Sequence, residues 1–162
     1  MSQHTKRAEE IVSHRQVFPS ETNPAGNMFG GRIMEIMDSV ASIAADHFCG
    51  HAGAVTASVE GLSFLLPVHV GDVLKTVSKV VHTGRTSMVI KVDVYRYEEG
   101  LGSAELCTSA HYIFVAMDAE RTPTPVPTLE VTTDAEKKAW DLAKAVREQS
   151  VKIQSLQQEA KR

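Results

Sequence analysis

The sequence predicts an α+β fold in which an antiparallel sheet packs one face against a single long helix. Three observations support this prediction. An apolar segment with helical spacing lies near the N-terminus, one strand-like segment precedes it, and four strand-like segments joined by short turns follow it. The chain has 162 residues, 43% hydrophobic and 23% charged, as expected for one globular domain with a substantial core.

The first residues are polar, and we expect Met1 to Glu10 to be frayed. No apolar run follows the N-terminal charges, so a signal peptide is not expected, and no window is apolar enough for a membrane span. Ile11 to Phe18 mixes β-branched and polar residues and is predicted to form the first strand. Pro19 to Ala25, with two prolines, is predicted to be a loop.

A helix is predicted from Asn27 to Cys49, with Asn27 as its N-cap and Gly50 as its end. Its apolar residues recur at helical spacing: Ile33, Met37, Val40, Ala41, Ala44 and Phe48. One carboxylate, Asp38, interrupts this apolar pattern. An acid among core residues costs stability unless something compensates, which makes Asp38 a candidate functional residue.

Four further strands complete the predicted sheet: Ala54–Leu66, Val73–His82, Thr86–Tyr97 and Ala104–Met117. Gly61 in the first of them indicates a bulge or a close backbone approach. Alternation predicts an apolar face in each of the last two strands: Met88, Ile90, Val92 and Val94 in Thr86–Tyr97, and Leu106, Ala110, Tyr112 and Phe114 in Ala104–Met117. Glu98 to Ser103 is predicted to be a hairpin turn.

Three regions are predicted along the chain. A domain spans residues 1–118, with its core at 11–118, and a Pro-rich linker arm covers residues 119–133. A charged C-terminal helix follows at 134–162, and it begins with a capping box from Thr133 to Glu136. A thin apolar stripe on this helix predicts that it docks on the domain or on a neighbouring subunit.

Several kinds of function are disfavoured. The net charge of −3 argues against nucleic acid as a partner. Cys49 and Cys107 are too few for a disulfide framework and fit small core residues in a reducing cytoplasm. His47 and His51 have helical i,i+4 spacing, but no third ligand is evident nearby, so a metal site is not predicted.

The remaining cluster of polar residues and glycines consists of Asn23, Gly30, Gly31, Asp38 and Ser42. Each has an ordinary explanation by itself, as a turn residue, a packing residue or a solvated side chain. Together they supply what acyl transfer requires. Free N–H groups at a helix start can hold an oxyanion, the carboxylate can act as base or nucleophile, and the amide and hydroxyl can orient a water molecule.

Helix geometry separates these parts within one chain. Gly30 and Asp38 are about 12 Å apart along a helix that rises about 1.5 Å per residue. An oxyanion donor and a base must meet around one carbonyl, within roughly 6–7 Å. Two antiparallel copies of the helix, related by a two-fold axis, would satisfy this requirement and give two shared sites.

The motifs together resemble one family. They are N-P-x-G-x-x-F-G-G from Asn23, M-D at Met37, V-T at Val55 and V-E-G-x-S-F-x-x-P-x-x-x-G-D from Val59. This pattern resembles the acyl-CoA thioesterases of the single-hotdog fold, in the bacterial and brain-type acyl-CoA hydrolase branch. The resemblance covers roughly residues 13 to 117.

The resemblance implies a hotdog fold, in which the sheet wraps around the central helix and two subunits form one continuous sheet. Such proteins are commonly hexamers built as trimers of dimers. The implied reaction is hydrolysis of fatty acyl-CoA to free fatty acid and CoA in the cytoplasm. No metal or redox cofactor, nucleic acid or membrane is implied.

The resemblance also assigns site residues. Asp38 matches the catalytic carboxylate, and Asn23 matches an amide contributed by the opposite subunit. Gly30 and Gly31 match the glycines whose N–H groups polarise the thioester, and Thr56 falls where a threonine assists. The segment that lines the CoA channel corresponds to Gly84, Arg85, Thr86, Ser87 and Met88.

The sequence is compatible with more than one mechanism and with more than one CoA-binding cation. Asp38 could be a base or a nucleophile, and Arg85, Lys79 or Arg96 could meet a CoA phosphate. A non-catalytic acyl-CoA sensor and a hydratase on the same fold are the alternative functions.

Overall fold

The computed structural model describes residues 4–51, 53–97 and 102–161, and it confirms the predicted α+β fold with a central helix and a C-terminal helix. The predicted turn at Glu98–Ser103 contains residues 98–101, which lie outside the described ranges. In chain order, the elements are β1 (Thr5–Lys6), β2 (Ile11–Gln16), a 3₁₀ turn (Pro19–Glu21), α1 (Gly30–Cys49), β3 (Val55–Phe64), β4 (Val73–Thr83), β5 (Ser87–Tyr97), β6 (Glu105–Val115), β7 (Thr128–Leu129) and α2 (Asp134–Glu159).

The main sheet has five antiparallel strands in the order β2-β4-β5-β6-β3. Strand β3 follows α1 in sequence but lies at the far edge, where β6 is its neighbour. The pairing of β3 with β6 shifts register between Glu60 and Ser63, and Gly61 adopts a left-handed φ of 61° at this bulge. The bulge predicted at Gly61 is therefore confirmed.

Helix α1 packs its apolar side on one face of this sheet. In β5, Met88, Ile90, Val92 and Val94 are all fully buried in the core that α1 shares, as their alternation predicted. The buried residues of α1 are Ile33, Ile36, Met37, Val40, Ala41, Ala44, Ala45 and Phe48. The helix ends at Gly50, which has a φ of 77° and donates its N–H to the Asp46 carbonyl.

The start of α1 differs from the prediction. The helix begins at Gly30 with Phe29 as N-cap, and no side chain caps it. Asn27 does not cap the helix, because its backbone is engaged in a β-bridge with His69 and its N–H is donated to the side chain of Asn23. The first N–H groups of α1 are therefore left without a side-chain acceptor.

The N-terminal segment is ordered where the structure describes it, so the predicted fraying is wrong for these residues. Thr5 and Lys6 pair in parallel with Thr128 and Leu129. Lys6 Nζ also donates to the His47 carbonyl over 2.7 Å. The Pro-rich segment follows the surface of the domain, and its Val126 side chain is buried in the main core.

Helix α2 crosses the opposite face of the sheet. Its capping box is confirmed, and hydrogen bonds from Thr132 and Thr133 lower the pKa of Glu136 to about 2. Farther along, the Trp140 ring lies 4.3 Å from that of His82. Burial lowers the pKa of His82, and the nearby cations on α2 add to this effect. Neither helix of the described chain is both long and apolar enough to cross a bilayer.

Candidate active site

Asp38 and Thr56 meet at the junction of α1 and β3. Asp38 is half-buried in the helix, and its Oδ1 accepts a hydrogen bond of 2.7 Å from Thr56 Oγ1. Thr56 is exposed on β3, opposite Phe114 of β6. Within the described residues, Asp38 Oδ2 has no hydrogen-bond partner, so this oxygen is available to a water molecule or to an electrophile.

Ser42 lies one turn after Asp38 and is half-buried on the same side of α1. Its hydroxyl has no hydrogen-bond partner among residues 4–51, 53–97 and 102–161. The side chain is thus close to Asp38 along the helix and free to bind solvent, and its role with the same water molecule stays a prediction.

Two buried hydroxyls hold the part of α1 that carries Asp38. Tyr112 donates to the Met34 carbonyl over 3.3 Å, and Ser78 donates to the Val40 carbonyl over 3.0 Å. Burial, and secondarily the Asp38 carboxylate, raises the pKa of Tyr112 to about 12, so its hydroxyl keeps its proton at neutral pH. The sequence reasoning missed both residues; the available signal was a tyrosine on the predicted inner face, since a buried Tyr hydroxyl needs a partner.

The start of α1 presents free backbone donors. A helix leaves its first N–H groups unpaired, and those of Gly30 and Gly31 have no acceptor within the described chain. A Cβ on Gly30 would lie 2.9 Å from Phe64 Cζ, so this glycine allows the ring to lie against the helix start. Around Gly31 a Cβ would meet no atom within 4 Å, so the space beside its N–H is open.

Asn23 uses one half of its amide to shape the loop before α1. Its Oδ1 accepts the N–H of Ala25 over 3.0 Å and that of Asn27 over 3.2 Å. The Nδ2 group has no acceptor in the part of the chain that the structure describes. Asn23 therefore offers two free N–H donors from a fixed loop.

A groove of about 340 Å³ adjoins the start of α1. Its walls include Gly30, Ile33, Phe64, Leu66 and Val68. Because these walls are largely apolar, the groove suits the hydrocarbon part of a ligand.

One chain keeps the donors and the carboxylate apart. No hydrogen bond joins Asn23, Gly30 or Gly31 to Asp38 within the described residues, and Gly30 and Asp38 lie about 12 Å apart along one helix at about 1.5 Å per residue. The structure thus brings together Asp38 and Thr56, but it leaves the donor groups at a separate position.

The turn between β4 and β5 consists of Gly84, Arg85 and Thr86, and Ser87 is the first residue of β5. The backbone of this turn is tied at three points: Gly84 N–H to the Ser87 carbonyl, Ala116 N–H to the Thr86 carbonyl and Val126 N–H to the Arg85 carbonyl, at 2.8, 2.9 and 3.0 Å. Gly84 and Arg85 are exposed and Thr86 and Ser87 half-exposed.

Three residues considered for CoA contact are less accessible than the exposed part of the turn: Met88 of the assigned segment, and the alternative phosphate ligands Lys79 and Arg96. Met88 has no exposed surface, so it supports the turn from the core instead of facing a ligand. Lys79 lies 3.6 Å from Glu136, and Arg96 is buried and lies 3.2 Å from Glu105. Arg85 is the exposed member of the three basic candidates.

The cysteines are unsuited to nucleophilic chemistry. Burial, with a smaller contribution from Asp46, raises the pKa of Cys49 to about 11, and burial also raises the pKa of Cys107. Both thiols are therefore protonated at neutral pH. The described residues contain no group of three or more side chains placed to hold a metal ion.

The fold and these groups define a hotdog-fold enzyme, with a carboxylate in the central helix and free backbone donors at its start. The sequence profile of the thioesterase superfamily matches residues 25–103, which contain α1 and strands β3 to β5. Together with 37% identity to an acyl-CoA thioester hydrolase, this match shows that the chain belongs to the thioesterase superfamily.

Three similar proteins illustrate this membership. Acyl-CoA thioester hydrolase YciA of Salmonella typhimurium is 37% identical over 121 residues, which are 73% of this chain and 90% of the relative. The solved structure of an apo hexameric acyl-CoA thioesterase has a TM-score of 0.88 and 34% identity, covering 94% of this chain and 99% of that one. Staphylococcus aureus acyl-CoA hydrolase, solved with butyryl-CoA and CoA, has a TM-score of 0.86 and 32% identity, with 96% and 97% coverage. That enzyme has also been solved with alanine replacing an aspartate, an asparagine or a threonine.

Proposed function

We propose that the chain hydrolyses the thioester bond of fatty acyl-CoA to give a free fatty acid and CoA. The chain is a thioesterase, and its relatives are acyl-CoA thioester hydrolases. The observation that carries the finer proposal is the Asp38 carboxylate, which Thr56 holds by one oxygen while the other oxygen stays open. Acyl chains would lie in the apolar groove beside Gly30.

In the proposed reaction, the N–H groups of Gly30 and Gly31 polarise the thioester carbonyl and hold the developing oxyanion. Asp38 either takes a proton from a water molecule that attacks the carbonyl carbon, or attacks that carbon itself and is released by water in a second step. In both routes the carbon–sulfur bond breaks and CoA leaves as a thiolate. The thiolate takes up a proton, from Asp38 in the first route and from solvent in the second. Thr56 orients the carboxylate and Ser42 helps to hold the water. No metal or redox cofactor takes part.

Two copies of the chain complete each site in this proposal. A two-fold axis that sets two α1 helices antiparallel would bring Asn23, Gly30 and Gly31 of one copy towards Asp38 of the other. Strand β3 supports such a dimer, because it is a long edge strand whose outer side has no partner among the described strands. The similar solved structures include hexamers, and we propose a trimer of such dimers in the cytoplasm.

Thiol release from acyl-CoAs of increasing chain length tests the activity directly. We expect release of free CoA with each turnover. Acyl-CoA binding without release would favour the alternative of a non-catalytic sensor on the same fold. Formation of a 3-hydroxyacyl product from an enoyl-CoA would favour a hydratase.

Replacement of Gly31 by alanine should separate stability from activity. A methyl group there meets no protein atom, and alanine favours a helix over glycine by up to about 1 kcal/mol, so thermal stability should hold or rise. The methyl group would occupy the space through which a thioester must approach the N–H groups. We therefore expect kcat/KM to fall about tenfold or more.

Gly50→Ala is the matched control, because Gly50 has a φ of 77° at the far end of the same helix. Alanine is strained in that conformation, so this variant should lose roughly 1 kcal/mol of stability and keep its hydrolysis rate. Full activity in Gly31→Ala would contradict the proposed role of the helix start.

Arg85→Ala should raise KM for acyl-CoA about tenfold with little change in kcat, because Arg85 is exposed in the turn assigned to CoA and would bind a phosphate. The effect should shrink at high salt. Lys79→Ala is the control, since Lys79 is engaged with Glu136, and its KM should match that of the wild type. An unchanged KM in Arg85→Ala would remove Arg85 from the binding site.

A further inference from the structure

Helix α2 is longer than the sheet face on which it lies. It begins beside β4, where Glu136 meets Lys79, and Ala143 then packs with Val89 of β5 and Ile113 of β6. At Ser150 it reaches the edge strand β3, where the Ser150 and Ser58 hydroxyl oxygens lie 3.3 Å apart.

Beyond Ser150 every described residue of α2 is exposed, and the helix continues to Glu159 for about 13 Å at about 1.5 Å per residue. This overhang projects past β3, which is the last strand of the sheet. It therefore enters the space where a second copy would continue the sheet. Because the described chain buries none of it, the overhang has a helical form without a tertiary contact that explains it.

One side of α2 carries an exposed and largely apolar stripe, named here the α2 stripe: Leu142, Ala145, Gln149, Ile153 and Leu156. At about 100° per residue, the α2 stripe lies roughly 100° around the helix from the line between Ala143 and Ser150 that faces the sheet. It therefore faces sideways, within the layer that α2 occupies. A groove follows this side of the helix from Ala145 to Leu156.

The spacing of the α2 stripe is the same in both directions. Its members stand at steps of three, four, four and three residues, symmetric about Gln149. Two such helices placed antiparallel would pair Leu142 of one copy with Leu156 of the other, Ala145 with Ile153, and Gln149 with Gln149. A two-fold interface requires this self-complementarity, because each copy presents the same surface.

The charges beside the stripe are self-complementary as well. Glu148 and Lys152 are both exposed on one flank of the same groove, and neither forms a salt bridge within the described residues. In the antiparallel arrangement, Glu148 of each copy lies beside Lys152 of the other, which gives two equivalent Glu–Lys ion pairs. A parallel arrangement would lose this match, since like charges would then lie side by side.

Gln149, the centre of the α2 stripe, lies close to the middle of the edge strand β3. Gln149 adjoins Ser150, which lies over Ser58 near the middle of β3. A two-fold axis through the middle of the β3 edge therefore also passes close to the centre of the α2 stripe. We propose that α2 pairs antiparallel with α2 of a second copy, centred on Gln149, above the junction of two β3 strands. The proposal uses the dimer of the proposed function but not its chemistry.

Disulfide cross-linking tests the pairing. In Gln149→Cys the two introduced thiols would face each other across the axis, and oxidation by diamide, which takes up two electrons and two protons, would join them. We expect most chains to run as a covalent dimer on a non-reducing gel. Ser155→Cys, exposed on another side of the same helix, should cross-link no more than the wild type. A mixture of Leu142→Cys and Leu156→Cys chains should form the mixed dimer in preference to either symmetric one.

Charge reversal tests the register. Each reversal is made in the Gln149→Cys chain. Either Glu148→Lys or Lys152→Glu by itself replaces both intersubunit pairs between positions 148 and 152 by pairs of like charge. We expect it to slow cross-linking about tenfold. The two reversals together restore opposite charges and should return the rate to within about twofold of the starting chain. Equal cross-linking in Gln149→Cys and Ser155→Cys, or no recovery in the double reversal, would overturn the proposal. Cross-linking is scored without turnover, so failure of the chain to hydrolyse acyl-CoA leaves this result interpretable.

Discussion

Replacement of Asp38 by alanine will reduce kcat for acyl-CoA hydrolysis by about a thousandfold or more. A positioned general base contributes about 10²–10⁴-fold, and loss of a nucleophile removes the covalent route entirely. The fold should survive, because Asp38 is only half-buried and the hydrogen bond lost to Thr56 is worth about 1 kcal/mol. Thiol release measures the first effect, and thermal unfolding with size-exclusion chromatography measures the second.

Asp46→Ala provides the matched control for this result. Asp46 is a second half-buried carboxylate on α1, but its Oδ1 accepts the N–H of Ala54 and so shapes the chain after the helix. Its removal should lower stability and spare kcat. If Asp38→Ala keeps full turnover, or if Asp46→Ala loses as much as Asp38→Ala, the catalytic assignment fails.

Mixing two inactive variants will restore activity if the sites are shared between copies. Each shared site takes Asn23 from one chain and Asp38 from the other. In a dimer of one Asn23→Ala chain and one Asp38→Ala chain, one site therefore lacks both side chains and the other site has both. We expect such a dimer, isolated through two different affinity tags, to show about half of the wild-type rate. Each variant alone should be nearly inactive in the same thiol-release assay.

The reciprocal pairing distinguishes shared sites from sites within one chain. A wild-type chain combined with a chain carrying both Asn23→Ala and Asp38→Ala has one lesion in each shared site, so this dimer should be nearly inactive. Sites confined to single chains predict the opposite pattern, with half activity in this dimer and none in the first. The two dimers contain the same set of side chains, so the comparison is independent of their overall stability.

The parts of the fold that have local signals were predictable from sequence. The spacing of apolar residues from Ile33 to Phe48 defined α1, and alternation in β5 identified the inner face. The cap at Asn27 was predicted wrongly, because residue type alone does not show that its backbone bridges to His69. The pairing of β1 with β7 joins two short segments that are far apart in the sequence, Thr5–Lys6 and Thr128–Leu129, and neither carries a strand pattern of its own.

In the candidate site, too, residues with a local sequence signal were predicted, and residues that act through tertiary contacts were not. Asp38 stood out because a carboxylate interrupts an apolar helix, and Thr56 was placed beside it through the family resemblance, which the structure supports with a direct hydrogen bond. Tyr112 and Ser78 were missed, since their partners are helix carbonyl groups. A contact with the backbone leaves no second residue type in the sequence that could indicate it.

Those two hydroxyls have a consequence for how the site tolerates change. Burial holds an apolar helix against a sheet, but it is non-directional and resists sliding or rotation of the helix only weakly. The hydrogen bonds from Tyr112 on β6 and Ser78 on β4 attach α1 to the sheet on either side of Asp38. They therefore fix the position of the Asp38 carboxylate relative to the sheet. If the site is shared between two copies as proposed, the alignment of Asp38 with the substrate would then depend on these two strands as well as on α1 itself. Substitutions in β4 or β6 that remove these hydrogen bonds would therefore lower the hydrolysis rate while the fold remained intact.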